Sequence, residues 1–141
     1  MITAVDSCIA LDFFLAGSEF GEVSRAALRR CSLEGKLIVC EVVWAEVAAN
    51  FPNHEEATAR FARLNLEFSP MDSAAALHAG SVWKQYRARG GKREHMVADF
   101  LIGSHAMHQA DRLLTRDRGL FRTYYPSLVL VDPSSPPKWK G

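Results

Sequence analysis

Long apolar runs are absent from this sequence. None of its hydrophobic stretches approaches the roughly 18 residues that a membrane-spanning helix requires, and its start has neither the basic segment nor the extended apolar core of a signal peptide. A cytoplasmic protein with no membrane contact is expected. Cysteine is sparse and odd in number: Cys8, Cys31 and Cys40 lie among apolar or helical neighbours with no Cys-x-x-Cys spacing. That argues against a disulfide framework and predicts reduced, buried thiols. The histidines, at 54, 78, 95, 105 and 108, show no zinc-type clustering with cysteine. His105 and His108 share a helix face without a matching third ligand nearby in sequence, so surface or partly buried positions are expected for both. Charge of one sign is lacking too, since the net charge is only +1, and this argues against a broad positive field holding nucleic acid.

What the sequence does have is 141 residues that are 48% hydrophobic, enough for one domain with one core. It also has four carboxylates inside or directly after apolar runs, where an unpaired negative charge is costly. Asp6 follows Ile2-Thr3-Ala4-Val5 and precedes the apolar stretch from Cys8 to Leu15, which predicts strand, carboxylate, helix. An aspartate at that junction can equally be a helix N-cap. Asp117 repeats the arrangement after Arg112-Leu113-Leu114-Thr115-Arg116, and open parallel α/β sheets place ligand sites at the carboxyl ends of their strands. Glu46 and Asp99 sit in windows that are apolar on nearly every side, Val42 to Ala49 and Met96 to Gly103. Such windows predict helices packed on more than one face. For Glu46 a salt bridge to an arginine is an equal alternative. For Asp99 a ligand role is favoured, because aspartate is a poor helix former and no lysine or arginine stands one turn away. Together the four point to a bound divalent metal.

The pattern along the chain predicts a strand at the start, helices over 7–15 and 19–33, a strand over 37–40 and a helix carrying Glu46 closed by Asn50 and Pro52. A helix over 53–65 follows, with Ala57, Phe61 and Leu64 on one face, and then a short strand over 66–69. Pro70-Met71-Asp72 is expected to cap a long helix to Arg89, with Ala76, Leu77, Gly80, Trp83 and Tyr86 inward, broken by Gly90-Gly91. The Asp99 helix is expected over 95–110, with strands over 113–115 and 128–131. Helices alternating with short apolar strands predict a parallel α/β sandwich occupying residues 1–132. The proline-rich remainder, 133–141, is expected to be a flexible tail. Basic residues crowd before the Asp99 helix (Lys84, Arg87, Arg89, Lys92, Arg93) and around Asp117 (Arg112, Arg116, Arg118, Arg122). Such runs are usually solvated faces, but these flank the acidic positions.

The order strand-Asp6, helix-Glu46, helix-Asp99, strand-Asp117 resembles the PIN-domain ribonucleases, in particular the VapC-type toxins of type II toxin–antitoxin systems. The resemblance runs almost end to end and is most specific from Ala98-Asp99-Phe100-Leu101-Ile102-Gly103-Ser104 through Leu114-Thr115-Arg116-Asp117 to Tyr124-Tyr125-Pro126. It implies a three-layer sandwich with a central parallel sheet flanked by helices. It also implies an endoribonuclease that hydrolyses RNA by metal-activated water, with Mg²⁺ or Mn²⁺ held by Asp6, Glu46 and Asp99 and the site completed by Asp117. Hard dications prefer carboxylate oxygen, and Mg²⁺ commonly bridges to substrate phosphate. Ser7 and Thr115 can orient carboxylates or water around such an ion, with ordinary turn hydrogen bonding the alternative. Arg93 and Arg116 are candidate contacts to RNA phosphate. The resemblance further implies a VapB-type antitoxin as partner, and a homodimer. A haloacid-dehalogenase-like phosphatase would need a second aspartate where Cys8 stands, and a response-regulator receiver would need an acidic pair and a late lysine that are missing. The remaining rival is a PIN-like module that binds RNA or a partner without cutting.

Overall fold

The computed structural model describes residues 1–91 and 97–134. Five strands, β1 (Ile2–Val5), β2 (Lys36–Val39), β3 (Leu66–Phe68), β4 (Arg112–Leu114) and β5 (Leu130–Val131), form one sheet in the order β3-β2-β1-β4-β5. Every pairing is parallel, with Ala4 opposite Ile38 on one side and Leu113 on the other. The helices among the described residues are α1 (Ser7–Phe14), α2 (Gly21–Glu34), α3 (Glu41–Ala48), α4 (His54–Arg63), α5 (Ser73–Ala88), α6 (Val97–Gln109) and α7 (Arg118–Tyr124). Together they make the expected three-layer α/β sandwich. None of the described helices is long and apolar enough to cross a membrane.

Parallel strands covered on both faces are apolar without alternation, and the central strands obey this. Ala4, Val5, Leu37, Ile38, Val39, Leu113 and Leu114 are all buried. Crossover helices supply the outer layers. On α2 the inward residues Ser24, Ala27, Leu28 and Cys31 recur at the helical period, and the helix stops at Gly35, with φ at +158°. A Cβ at Gly35 would overlap the Met1 carbonyl, which accepts the Lys36 amide at 3.0 Å and so starts the β1–β2 pairing. Helix α4 begins with Asn53, whose side chain accepts the Glu56 amide at 2.8 Å, and it carries glutamates in its first turn and arginines in its last, matching the helix dipole.

Two expectations need correction here. The inward face of α5 is Ala75, Ala79, Val82 and Tyr86, with Trp83 half-buried, whereas Ala76 and Gly80 are exposed and Leu77 is 74% exposed. Two stripes of apolar and small residues run along this helix one position apart and share Tyr86, which packs inward against Phe100 as expected, ring centroids 5.3 Å apart; packing buries Ala75, Ala79 and Val82 in place of Ala76, Leu77 and Gly80. Asp72 does occupy the N-cap position of α5, but its side chain makes no capping bond. His105, expected near the surface, is 1% exposed and lies 3.0 Å from the Ser69 hydroxyl, while His108 is exposed and pairs with His78 at 3.0 Å. All three cysteines are free; Cys31 and Cys40 are buried and Cys8 is half-buried.

The strand order reverses beside β1: β2 and β3 lie to one side of it, β4 and β5 to the other. In open α/β sheets the crevice beyond the carboxyl ends of the strands at such a reversal is where ligands bind. Asp6 leaves β1 and Thr115-Arg116-Asp117 leave β4 at that point.

Candidate functional site

Asp6 is 7% exposed and both of its oxygens are engaged. Oδ1 accepts the Ser7 amide at 2.7 Å and lies 3.4 Å from the Ser7 hydroxyl. The N-cap alternative is therefore realised, but it accounts for only one oxygen. Oδ2 accepts the Thr115 hydroxyl at 2.7 Å and the Cys8 thiol at 3.7 Å. Thr115 is fully buried, and its Oγ1 accepts the Asp117 amide at 3.0 Å. A directed chain results: the Asp117 N–H donates to Thr115, whose single hydroxyl proton donates to Asp6. The crevice is thus tied across from β4 to β1.

Burial pushes the Asp6 carboxyl above the ordinary carboxylate range, the Thr115 and Ser7 hydrogen bonds pull it back, and the charge of Asp99 pushes it up again. Glu46 is raised as well, first by partial desolvation, then by Asp6, then by Asp99. Three carboxylates from the end of β1, the middle of α3 and the first turn of α6 therefore share one field. Cys8, against Asp6, is driven up to about 12 by burial and by the same negative charge, which makes it a thiol and not a thiolate nucleophile.

Helix α3 buries Val43 and Val47 and half-buries Val42, Trp44 and Ala48 against the core, the Trp44 ring lying 4.2 Å from that of Phe61 and 5.2 Å from that of Phe68, while Glu46 lies exposed. Asp99 is half-buried on α6, which packs on several faces through Phe100, Ile102, Gly103, Ser104, His105 and Ala106. Asp117 is exposed at the N-cap position of α7, its side chain makes no capping bond, and its link to the group runs through its backbone and Thr115. Arg116 is turned to Asp12, with Nε 2.8 Å from Oδ2 and Nη2 3.1 Å from Oδ1, and lies over the Phe20 ring at 4.2 Å. Arg93 is outside the described residues.

Asp12, on α1, is not among the candidates read from the sequence, yet it is 5% exposed and fully bonded. Besides Arg116 it accepts Ser18 at 2.9 Å and Ser24 at 2.7 Å. Its one sequence signal is an acidic residue on the buried face of α1; its partner is 104 positions away. A second clamp was equally hidden. The 69–72 segment is held by Glu41 on the Met71 amide (3.0 Å), by Gln109 on the Asp72 amide and the Pro70 carbonyl (2.9 Å each), and by His105 on Ser69. Glu41 begins the helix of Glu46, and His105 and Gln109 belong to the helix of Asp99. Tyr125 fixes α6 from the other direction, donating to the Phe100 carbonyl at 2.7 Å and accepting from Ser104 at 2.8 Å. Gly103 lets the ring approach, since a Cβ there would stand 2.5 Å from it.

The donor chemistry fits a hard dication, since Asp6, Glu46 and Asp99 offer only carboxylate oxygen, and the raised carboxyls of Asp6 and Glu46 reflect burial first and then neighbouring negative charge that a cation would relieve. Among the described residues no three His, Cys, Asp or Glu side chains are gathered tightly enough to enclose an ion as they stand. A surface depression lined by Ser32, Gly35, Lys36, Leu37, Asn65 and Glu67 lies at the opposite end of the sheet and takes no part in this group.

A family model described as PIN domain matches residues 3–125. No curated protein matches. Solved structures similar to this chain include VapBC2 from Rickettsia felis bound to a DNA fragment from its promoter, with a TM-score of 0.71 at 18% identity over 94% of this chain and 98% of that one. A toxin–antitoxin complex from Klebsiella pneumoniae gives 0.68 at 19% identity, covering 95% and 99%. VapC20 from Mycobacterium tuberculosis, a sarcin–ricin loop cleaving toxin, gives 0.53 at 14% identity over 79% and 86%. Identities this low speak for the fold alone, but the family match spans most of the sequence and includes Asp6, Glu46, Asp99 and Asp117. The chain belongs to the PIN-domain family.

Proposed function

We propose that this protein is a metal-dependent endoribonuclease acting as the VapC-type toxin of a toxin–antitoxin pair. The observation that carries the reading is the common field of Asp6, Glu46 and Asp99 beside the reversal of the sheet. The carboxyls of Asp6 and Glu46 are raised first by burial and then by neighbouring negative charge, which costs stability, and a bound Mg²⁺ or Mn²⁺ would offset that cost. Asp6, Glu46 and Asp99 would hold the ion, with Asp117 completing the set. When bound, the ion supplies neutralisation of the RNA phosphate and acidification of a coordinated water.

The chain's own groups prepare the site. Thr115 fixes the orientation of Asp6, Ser7 holds its other oxygen, and the carboxyl must be ionised to serve. Arg116 gives Nε and Nη2 to Asp12, which leaves Nη1 for a phosphate, and Arg93 is a further candidate contact. A VapB-type antitoxin as partner, a homodimer and a cytoplasmic setting complete the proposal. Similarity to the Klebsiella pneumoniae complex and to VapC20 supports it.

The test is cleavage of total bacterial RNA by wild type and Asp6→Asn, each with Mn²⁺, Mg²⁺ or EDTA. Metal-dependent cutting by wild type alone is expected. RNA binding without cutting by wild type in either metal would favour a non-catalytic PIN-like binding module instead.

A further inference from the structure

Arg112, Arg116 and Arg118 are each matched to a carboxylate, Glu34, Asp12 and Asp132 respectively. The last turns of α5 are different. Lys84, Arg87 and Arg89 are all exposed, and among the described residues none of them pairs with a carboxylate. The two arginines lie on aromatic rings instead, Arg87 over Trp83 at 5.0 Å and Arg89 over Tyr124 at 5.9 Å. Tyr124 and Tyr86 meet at 5.7 Å, and both rings pack on Phe100, at 5.6 and 5.3 Å. Phe100 is the residue after Asp99. A cationic edge faced with the half-exposed rings of Trp83 and Tyr124 therefore lies on α5 and α7 and packs, through the buried rings of Tyr86 and Phe100, on the first turn of the helix that carries the proposed metal ligand.

We infer that this edge is the path along which single-stranded RNA reaches the site, with Arg87 and Arg89 on successive phosphates and Trp83 and Tyr124 offering faces to unstacked bases. The inference rests on the nuclease reading for its substrate, but its geometry is separate from the carboxylates. Guanidinium groups already lying on rings combine the two features that single-strand sites use, backbone charge and base stacking. A duplex hides its base faces and would gain only the charge. With a net charge of +1 the chain has no broad field, so binding must come from such a local concentration of unmatched cations.

The test is fluorescence anisotropy with a labelled RNA of about 12 nucleotides, single-stranded or annealed to its complement, in EDTA so that binding is read without cutting. Titrations run from about 50 to about 300 mM salt. Each phosphate contact on a single strand contributes about −0.7 to the slope of log affinity against log salt, so Arg87→Gln with Arg89→Gln is expected to make that slope shallower by about 1.4. Trp83→Leu is expected to weaken single-strand binding by at least about 5-fold with the slope unchanged, and to leave the duplex unaffected. Melting curves verify that each variant is folded. If Trp83→Leu fails that check, the arginine slope alone decides. An unchanged slope in the double arginine variant overturns the inference, and so does equal weakening of strand and duplex by Trp83→Leu. The two readings fail separately: a wild type that binds with the expected slopes but never cuts in Mn²⁺ refutes the nuclease, while cutting with unchanged slopes refutes only the path.

Discussion

Replacing Asp6 by asparagine keeps the shape of the most buried carboxylate in the site and removes its charge. In the metal-free protein that charge is a liability, because burial and the neighbouring Asp99 both disfavour it. Effective desolvation of a buried carboxylate costs several kcal/mol. Against this stand the bonds from the Ser7 amide and the Thr115 hydroxyl, worth about 1.5–3 kcal/mol each when the acceptor is charged. Asparagine retains an oxygen toward Ser7 but presents an NH₂ to Thr115, whose hydroxyl proton then lacks its acceptor, a loss of about 1 kcal/mol. The opposing effects nearly cancel. Asp6→Asn in EDTA at about pH 7.5 is therefore expected within about 1 kcal/mol of wild type, or above it, which is about 3 °C in Tm for a chain of this size. The pH dependence has a definite sign. With a folded-state pKa above the ordinary value of 3.8, the folded protein holds this proton more tightly than the unfolded chain does. The stability linked to it is complete below 3.8 and is lost as the pH rises through the folded value. Melting wild type and Asp6→Asn side by side from about pH 4 to about pH 8 should thus show the difference moving in favour of the variant as the pH rises. Adding Mn²⁺ at about 100 times its Kd should reverse the order, stabilising wild type by about 2.7 kcal/mol and leaving Asp6→Asn unmoved. A loss above about 3 kcal/mol for Asp6→Asn in EDTA, with no pH dependence in the difference, would refute the reasoning and make Asp6 a structural cap.

Thr115→Val keeps the buried volume but cuts the chain from Asp117 to Asp6, so urea denaturation should show a loss of about 2 kcal/mol and RNA cleavage should fall, while Thr115→Ser stays within about 1 kcal/mol of wild type. Gly103→Ala drives a methyl into the Tyr125 ring and should cost about 1–3 kcal/mol by overpacking; thermal melts that show no loss would mean that α6 and Tyr125 are less closely engaged than described. His105 is held below the ordinary value of 6.5 by burial, so the stability linked to it is present above 6.5 and is lost as the pH falls through the lowered value. Denaturation of His105→Asn at about pH 7.5 and about pH 5.5 should accordingly show a lower stability overall and a smaller drop between the two.

Local signals carried the fold far. Short apolar runs bounded by glycine, proline and charge located all five strands, because strands covered on both faces have no polar alternation to confuse them. The α5 face was misjudged because two adjacent stripes of small and apolar residues satisfy the same period and share Tyr86, so one sequence does not tell Ala75, Ala79 and Val82 from Ala76, Leu77 and Gly80. Glu46 was legible as a candidate but not as exposed, since valines on one side of a short helix make its whole window look buried. Asp12 was illegible as the partner of Arg116, because a bond between residues 104 positions apart leaves no periodic trace in one sequence. The sequence suggested that Arg116 serves the phosphate; the fold instead commits it first to a buried carboxylate.

That commitment bears on how like charges are kept together. The β1–α1 and β4–α7 turns are joined twice, once by Thr115 on Asp6 and once by Arg116 on Asp12. The first tie bears directly on a member of the repelling group. The second lies one helical stretch away, where Asp12 is satisfied by Arg116, Ser18 and Ser24 together. Separately, Glu41, His105 and Gln109 bind the 69–72 segment from the helices of Glu46 and Asp99. Repulsion among Asp6, Glu46 and Asp99 acts to spread β1, α3 and α6, and each of these elements is held by hydrogen bonds that do not depend on the charge of the group. The scaffold therefore holds the three carboxylates on fixed elements without relying on a bound cation. Under the proposed function, a dication drawn to these carboxylates would relieve their repulsion and offer its remaining charge to substrate phosphate, which is what carboxylates placed on separate elements of the sandwich would gain.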